Sequence, residues 1–521
     1  MPNKIKTDTN LRTPTTRTHM QAMKRKWSLF LIVAAIFLIE ICNELPTTGM
    51  FLDGIIYGNL AANLTQGIGT FWSPMTSPSA DSPFVGHPPL AFGLLALCYK
   101  TFGVHIWVTK CYSLLMVAAS GLLILRLWRQ VGMKQGTGWL PLLFWILVPL
   151  VSQYACDNML ENTMAVFLLA AVACMLHSPT KQAALIGWHL LAGGLLYLAF
   201  LTKGVTGLYP LCFPLAIWVS DMVFLPKHNR RSFPLSLSLC LITAASLSLC
   251  IIVVGLIQPA SLDYLEAYIA TQVISGSKAV TVSNRWYIII KFFERTAVVW
   301  GLVATILCIY RKRLHRTNQQ PIPKAHKRTS TTFFLLTVSG VIPMVLSTKQ
   351  SDFYIITVFP YFAIAAAALL TDTVEQWIAK RGTKFQRAMT GIALALSGCA
   401  IIMNTANYGK PGRDHTLQQD IKIIAQHLDR GEIVAMPHCM RNQYSLINYA
   451  YRSKQIDLIP IDLDKSKPTL PRHLLTDGST PIDNTLYQEL PAPTCQLKLY
   501  ELVMSSETQQ SEADSIHPDH H

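Results

Sequence analysis

Apolar runs of about 20 residues recur along the first four fifths of the chain, and they limit what it can fold into. A helix needs about 20 apolar residues to cross the ~30 Å hydrocarbon core of a bilayer. Only 14% of the 521 residues are charged, against about 25% in ordinary soluble domains. We therefore expect an α-helical polytopic membrane protein, and the composition excludes a single soluble domain.

The apolar runs define candidate membrane spans. The first begins at Trp27, lacks a small-residue cleavage site and is followed by further spans, which favours a retained helix over a signal peptide. A shorter, amphipathic segment at 89–103 is expected to lie in the interface or to re-enter the membrane. About eleven spans are predicted, at 27–44, 107–128, 137–155, 158–176, 183–201, 205–224, 234–257, 286–310, 332–348, 353–371 and 387–404.

The formal net charge of +15 is explained by Lys and Arg in short loops, so no nucleic-acid partner is expected. With eleven spans, the N-terminal MKRKW segment and the loops 226–231, 311–328 and 379–387 fall on one side of the membrane. The positive-inside rule predicts that this side is cytoplasmic. The loop at 258–285 and the C-terminal tail then lie on the outer side.

Four regions are predicted along the chain. From Asp414 onward, TLQQDIKIIAQHLDRG has the pattern of an amphipathic helix that ends in Gly, and EIVAMP, QIDLIPID and CQLKLYELV are typical of strands. The regions are a cytoplasmic basic N-terminus (1–26), a transmembrane domain (27–406) with a first outer loop (45–106), a small outer α/β domain (407–505) and a disordered tail (506–521).

The 12 cysteines favour no metal site. Ten lie in or beside apolar runs, where cysteine behaves as a small hydrophobic residue. Cys439 and Cys495 lie in the polar C-terminal part, where a disulfide and two free thiols are both open interpretations. No Cys/His spacing is typical of a zinc site.

Ionisable residues cluster at the ends of spans on the predicted outer face. Because charges are costly inside a membrane, each is a candidate for function, although span ends are also where charges ordinarily lie. Their common side indicates a shared cavity. They are Asp53, His87, Asp157, Glu161, Lys203, Lys349 and Asp352, with Tyr354 beside the last.

Five motifs occur in order along residues 27–404. They are LDGIIYGNLAANL, GHPPLAFGLLALCYKTFGVHIWVTK, YACDNMLENTMAVFLLAA, LAFLTKGVTGLYP and TKQSDFYIITVFPYFAIAAAALL. In this order they resemble the C-type (GT-C) membrane glycosyltransferases, especially the branch that holds the lipid A aminoarabinose transferase and the protein mannosyltransferases.

The resemblance implies a GT-C fold and a reaction at the membrane surface. It implies a polyprenyl-phosphate-linked sugar as donor, membrane lipids as surroundings, and a lipid, glycan or protein as acceptor. It further implies transfer with inversion at the anomeric carbon, and a multi-pass protein of the bacterial inner membrane whose active site faces the periplasm.

Candidate roles follow from the motifs and from the chemistry of a phosphate leaving group. Asp53 is the candidate general base, and Asp157 is a candidate to orient the acceptor or the donor sugar. Cations are needed where negative charge develops on the phosphate. The candidate substrate-binding residues are His87, Lys203, Lys349, Tyr354, Tyr57 and Arg285.

Two departures from the family pattern bear on these roles. Gly54 stands where the family usually has Glu directly after the loop Asp, which weakens the case for an acidic metal-binding pair. No cofactor is therefore expected, although a divalent metal stays an open alternative. His87 stands where many members have Lys, so part of the charge at the phosphate is expected to depend on pH, since free His titrates near ~6.5.

Simpler interpretations of the same residues stay open. Asp53 and Asp157 are also suited to cap helices, and Lys203 to extend from a span end to the interface. The competing functions are a lipid-linked glycan ligase or polymerase and a transporter or flippase. The sequence of a transporter is expected to show two halves with paired hydropathy patterns and broken helices at the membrane midplane. This sequence lacks such a pairing.

Overall fold

Helices form most of the chain, and a small mixed sheet follows them. The computed structural model describes residues 16–317, 321–462 and 471–503. The predicted fold class, a polytopic α-helical membrane protein with a small C-terminal α/β part, is confirmed. The predicted disordered tail at 506–521 lies outside the described residues.

The helical part contains sixteen α-helices within the described residues before 407. They are α1 (Thr16–Glu40), α2 (Leu52–Gln66), α3 (Leu90–Phe102), α4 (Ile106–Gln130), α5 (Trp139–Ile146), α6 (Pro149–Gln153), α7 (Leu160–Met175), α8 (Gln182–Lys203), α9 (Phe213–Phe224), α10 (Phe233–Ile257), α11 (Ala260–Tyr268), α12 (Gly276–Lys278), α13 (Tyr287–Thr317), α14 (Lys324–Val341), α15 (Phe359–Ala379) and α16 (Thr383–Ala406). A short hairpin, β1 (Gly69–Thr70) and β2 (Ser73–Pro74), lies between α2 and α3.

Shorter helices of other types connect these elements. A π-helix, Ile269–Ser275, continues α11, so the segment expected to be a loop at 258–285 is largely helical. Helices of the 3₁₀ type lie at Gly204–Cys212, Ile342–Leu346 and Asp352–Val358.

Within the described residues, seven helical stretches are long and apolar enough to cross a membrane. They are Ile106–Gln130, Gln182–Phe224, Lys227–Ile257, Tyr287–Lys312, Lys324–Leu346, Asp352–Ala379 and Thr383–Ala406. The sequence count is higher because it includes shorter apolar segments such as Trp27–Glu40 and Leu160–Met175 and divides Gln182–Phe224 into two.

The division of Gln182–Phe224 lies at Gly204. This residue has φ 76° and ψ −145°, a conformation that favours glycine. A Cβ added to it would lie 1.7 Å from the hydroxyl oxygen of Tyr268. Three residues on, a Cβ at Gly207 would lie 3.2 Å from the Ala199 carbonyl carbon, so the 3₁₀ helix folds back along α8. Lys203, the last residue of α8, is thereby fixed at a turn.

The start of α2 is fixed by the loop before α7. The backbone N–H of Phe51 donates to Asp157 Oδ1 at 3.0 Å, and Asn158 Nδ2 donates to the Gly54 carbonyl at 3.1 Å. A Cβ added to Gly54 would lie 1.8 Å from the Asp157 carbonyl oxygen. The loop that leads into α2 is held as well, because the buried Lys110 donates to the carbonyls of Glu44 and Gly49.

The described residues of the C-terminal part form a five-stranded sheet with two α-helices. The elements are α17 (His415–Ile424), β3 (Ile433–Pro437), α18 (Tyr444–Lys454), β4 (Asp457–Ile461), β5 (His473–Thr476), β6 (Tyr487–Glu489) and β7 (Lys498–Leu502). The strands lie in the order β4-β3-β5-β7-β6, with β3 parallel to β4 and β5 and the other pairs antiparallel. Helix α18 supplies the crossover that parallel neighbours such as β3 and β4 require.

The core of this α/β part extends onto α2. Met50 and Ile55 are fully buried in the same apolar cluster as Leu446 of α18. Polar contacts join the two helices, since Tyr451 Oη donates to Asn63 Oδ1 at 2.7 Å and Asn59 Nδ2 donates to the Asn448 carbonyl at 3.0 Å. Helix α2 is therefore packed between the α/β part and the Asp157 loop.

Cys439 and Cys495, for which the sequence leaves two interpretations, are free thiols in the structure. The Cys439 thiol contacts the Thr480 hydroxyl at 3.3 Å, and the Cys495 backbone N–H donates to Asp420.

We predict that Gly54→Ala destabilises the protein by about 1–3 kcal/mol, because the added Cβ displaces the Asp157 loop from α2. The matched control is Gly398→Ala in α16, where a Cβ meets no heavy atom within 4 Å. That control is expected to be neutral or stabilising by about 0.5–1 kcal/mol. Denaturant unfolding of the detergent-solubilised chain measures both, and equal stabilities of the two variants would contradict the packing described for α2.

Candidate active site

Asp53 lies in the first turn of α2, half-buried, where Tyr57 Oη donates to its Oδ2 at 3.5 Å. Burial raises the pKa of Asp53 above its ordinary value, while Lys203 and the hydrogen bond from Tyr57 oppose the shift. Burial and the neighbouring carboxylates of Asp53 and Glu161 raise the pKa of Tyr57 well above its usual range. The phenol therefore keeps its proton and acts as a donor.

Lys203 lies beside this carboxylate and forms an ion pair with Glu161 of α7. The two side chains are only 4% and 0% exposed, respectively. Lys203 Nζ also lies over two aromatic rings, 5.3 Å from the ring centroid of Phe353 and 5.0 Å from that of Tyr354. One buried cation thus contacts α7 and the 3₁₀ helix Asp352–Val358 together.

A cavity of about 510 Å³ opens at this cluster. Most of its wall is apolar or aromatic, as at Val205, Leu208, Tyr209, Tyr268, Pro343 and Met344. Its other described lining residues include His87, Lys203, Lys349 and Tyr354, and no carboxylate is among them. The cavity therefore combines an apolar channel with a cationic region.

Lys349 is held in the cavity wall by polar contacts. Its Nζ donates to Gln272 Oε1 of the π-helix at 2.8 Å. The next residue, Gln350, is buried and joins three segments: its Nε2 donates to the carbonyls of Arg285 and Ser347, and its Oε1 accepts from Ile288 N–H. The loop that carries Lys349 is therefore braced from both sides.

His87 lines the same cavity, with its ring centroid 5.9 Å from that of Tyr57. Its backbone carbonyl accepts a hydrogen bond from Tyr264 Oη at 2.6 Å, and its Nδ1 is buried without a partner among the described residues. Burial, with Lys203 and Lys349 nearby, holds the pKa of His87 well below its ordinary value. The imidazole is thus neutral at pH 7, and the cavity's charge comes from the lysines.

The remaining sequence candidates lie outside this cavity. Asp157, in the loop before α7, is fully buried against the start of α2. Its Oδ1 accepts a hydrogen bond from the Phe51 N–H, and its Oδ2 has no partner among the described residues. Burial raises its pKa above the ordinary value. Arg285 is exposed and is absent from the described lining residues. Asp352 forms an ion pair of 2.5 Å with Arg295.

Comparison with known proteins identifies the fold that carries this site. Residues 86–257, about a third of the chain, match the family described as dolichyl-phosphate-mannose-protein mannosyltransferase. The structure of ArnT from Cupriavidus metallidurans bound to undecaprenyl phosphate aligns at a TM-score of 0.59 and 15% identity, over 92% of this chain and 98% of that one. The chain has the fold of the C-type membrane glycosyltransferases. The resemblance carried by the five sequence motifs is confirmed.

Further comparisons agree with this fold. ArnT of the same organism in the apo state aligns at a TM-score of 0.57 and 16% identity, over 91% of this chain and 97% of that one. Comparison of the sequence with curated proteins finds no match.

Six candidates from the sequence lie around one cavity and its border in this fold: Asp53, Tyr57, His87, Lys203, Lys349 and Tyr354. Sequence reasoning missed Gln272 and Gln350. Gln350 stands inside the fifth motif, next to Lys349, which is the only sequence signal for it. Gln272 lies in a segment without a regular helical pattern, and its contact with Lys349 depends on the tertiary fold. No cluster of three metal-ligating side chains occurs in the described part of the chain.

We predict that Lys203→Met destabilises the protein by about 3–5 kcal/mol, because it leaves Glu161 as an unpaired buried charge. Replacing both partners by Met is expected to cost less than this single change. The matched control is Lys134→Met, which removes an ion pair with Glu375 whose lysine is 67% exposed and is expected to cost below about 1 kcal/mol. Denaturant unfolding measures all three variants, and a double variant at least as unstable as Lys203→Met would contradict the pairing of Lys203 with Glu161.

Proposed function

We propose that this protein is a glycosyltransferase that moves a sugar from a polyprenyl-phosphate donor to a hydroxyl-bearing acceptor, with inversion at the anomeric carbon. The observation that carries the proposal is the combination, in one cavity, of an apolar wall with Lys203 and Lys349. A polyprenyl phosphate has the matching combination of an isoprenoid chain and an anionic headgroup. The similarity to an ArnT structure that contains undecaprenyl phosphate supports the same assignment.

The donor occupies the cavity with its isoprenoid chain against Val205, Leu208 and Met344. Its phosphate faces Lys203 and Lys349, because lysine is a point-charge partner suited to phosphate. Tyr354 and the neutral His87 supply polar contacts to the headgroup or to the sugar. Lys349 carries the larger share of the charge, since the charge of Lys203 is balanced by Glu161.

The reaction is a single displacement at the anomeric carbon. The acceptor oxygen forms a new bond to that carbon while the bond from the carbon to the phosphate oxygen breaks. The electron pair of the broken bond stays on the phosphate, where the lysines stabilise the developing negative charge. The acceptor proton passes to a base.

Asp53 is that base. Its carboxylate lies beside Lys203 and Tyr57, next to the cationic region that receives the phosphate. The contact from Tyr57 Oη to the carboxylate is 3.5 Å long, so it is weak and leaves the carboxylate oxygens available to the acceptor. A base with a raised pKa is also a better proton acceptor once it is ionised.

Asp157 acts through α2 rather than on a substrate. Its hydrogen bond with Phe51 N–H, and the close contact of its carbonyl with Gly54, hold the first turn of α2 and thereby the position of Asp53. Arg285, exposed on the loop braced by Gln350, is available to the donor headgroup outside the cavity. We further propose that the protein lies in the bacterial inner membrane with this site facing the periplasm. The basic loops predicted on the opposite side support this orientation.

We predict that Asp53→Asn lowers the transfer rate by about 10²–10⁴-fold, because the acceptor proton loses its base. Binding of undecaprenyl phosphate is expected to be unchanged. The matched control is Asp81→Asn, an exposed carboxylate in the same outer loop. Mass spectrometry of envelope lipids and glycoproteins from cells that carry each variant measures the product.

The same variant tests the role of Asp53 through pH. A base must be deprotonated, so the wild-type rate falls as the pH drops through the pKa of Asp53, which burial raises above its ordinary value. In isolated membranes this acid limb is expected in the wild type and absent from the residual rate of Asp53→Asn. Wild-type turnover in the variant, or an unchanged acid limb, would remove Asp53 from the mechanism.

We predict that Lys349→Met weakens binding of undecaprenyl phosphate by about 10–100-fold, the value of one charge-assisted hydrogen bond. The matched control is Lys278→Met, an exposed lysine of the neighbouring α12. The detergent-solubilised protein is titrated with undecaprenyl phosphate and with a polyprenol that lacks the phosphate. The difference between the two affinities gives the contribution of the headgroup apart from that of the isoprenoid tail. Equal affinities of the two lysine variants would contradict the donor site.

A further inference from the structure

A second open site lies where the C-terminal α/β part meets the start of α2. It is a groove of about 690 Å³, within the range of about 300–1,000 Å³ that is typical of ligand sites. Leu52, the residue before Asp53, lines one side of it, and residues after β3, after β5 and before β7 line the others. The groove thus reaches the residue that precedes the proposed base, and it shares no described lining residue with the donor cavity.

The walls of this groove are held in place by buried hydrogen bonds. Asp420, only 1% exposed, accepts hydrogen bonds from the backbone N–H groups of Cys495, Gln496 and Leu497, at 2.7–3.1 Å. On the facing wall, Gln443 Nε2 donates to Asp477 Oδ2 at 3.0 Å. Both walls are therefore fixed before any ligand arrives, which lowers the entropic cost of binding.

Neutral hydrogen-bonding side chains line the groove together with four leucines. Amides and hydroxyls come from Asn442, Gln443, Ser445, Ser479 and Gln496. Such groups both donate and accept, so they match the hydroxyls of a sugar.

An aromatic ring stands among these polar groups. Tyr444, the first residue of α18, is 54% exposed and lines the groove. Its ring offers an apolar face and its hydroxyl a polar tip, as needed for the C–H and O–H groups of one pyranose.

The charge of the groove argues against an anionic ligand. Asp477 lines it, and hydrogen bonds from the Ser479 side chain and backbone hold the pKa of Asp477 below its ordinary value, so it is ionised at pH 7. No Lys or Arg is among its described lining residues. A phosphorylated headgroup would meet a negative charge here without a cation to balance it.

We propose that this groove binds the acceptor, and that the acceptor is a neutral glycan whose hydroxyl is presented to Asp53 from the side of Leu52. The inference rests on the proposed function, since it names the substrate class of the same reaction. A phosphorylated headgroup and a peptide are the alternative ligands that the test below distinguishes.

The test uses the full chain in detergent micelles on an array of neutral glycans, phosphorylated disaccharides and Ser/Thr-containing peptides. The expected result is preferential binding of neutral glycans, weakened about fivefold to tenfold in Tyr444→Ala, the value of one aromatic contact. The matched control is Tyr408→Ala, which removes a tyrosine that is 69% exposed and stacks on Trp107 away from the groove. Gln496→Ala supplies a second groove variant. It removes the side-chain amide but keeps the backbone N–H that donates to Asp420.

Binding of undecaprenyl phosphate is measured on the same preparations and is expected to be equal in all of them. Preference for phosphorylated disaccharides, binding of peptides alone, no binding of any neutral glycan, or equal loss in Tyr408→Ala would each overturn the inference. If the wild type fails to bind undecaprenyl phosphate, the proposed function fails instead, so the two failures are distinguishable.

Discussion

The position of the first turn of α2 is the constraint on which the site depends. Asp157 holds it through the Phe51 N–H, and the Asp157 carbonyl leaves no room for a Cβ at Gly54. On its other side, Met50 and Ile55 belong to the core of the C-terminal α/β part. Because α2 is fixed from two sides, Asp53 is held near Lys203 of the cavity, while the preceding residue, Leu52, lines the groove. In the proposed reaction, a base at this place serves both substrates.

The two sites differ in charge in the way that the proposed reaction requires. The cavity carries Lys203 and Lys349 and no described carboxylate, whereas the groove carries Asp477 and no described cation. In the proposed reaction, this difference directs a lipid phosphate to the cavity and a neutral hydroxyl compound to the groove. The buried ion pair of Lys203 with Glu161 adds rigidity, since a paired lysine keeps its place before the donor arrives.

Much of the fold and part of the site follow from sequence. Apolar runs predict the membrane helices, and motif order indicates that Asp53, Lys203, Lys349 and Tyr354 share a face. The span count does not follow from apolar runs alone, because segments such as Leu160–Met175 are short and the break at Gly204 divides one long apolar stretch. The structural reason for Gly54, the neutral state of His87 and the contact of Gln272 with Lys349 depend on residues distant in sequence, which no local pattern encodes.

The most direct measurement is an experimental structure of the full chain with undecaprenyl phosphate. The account predicts phosphate oxygens within hydrogen-bonding distance of Lys349 and Lys203, with the isoprenoid chain along Val205, Leu208 and Met344 and the Asp53 carboxylate beside the headgroup. A phosphate bound outside the cavity, or one separated from Asp53 by packed side chains, would contradict it.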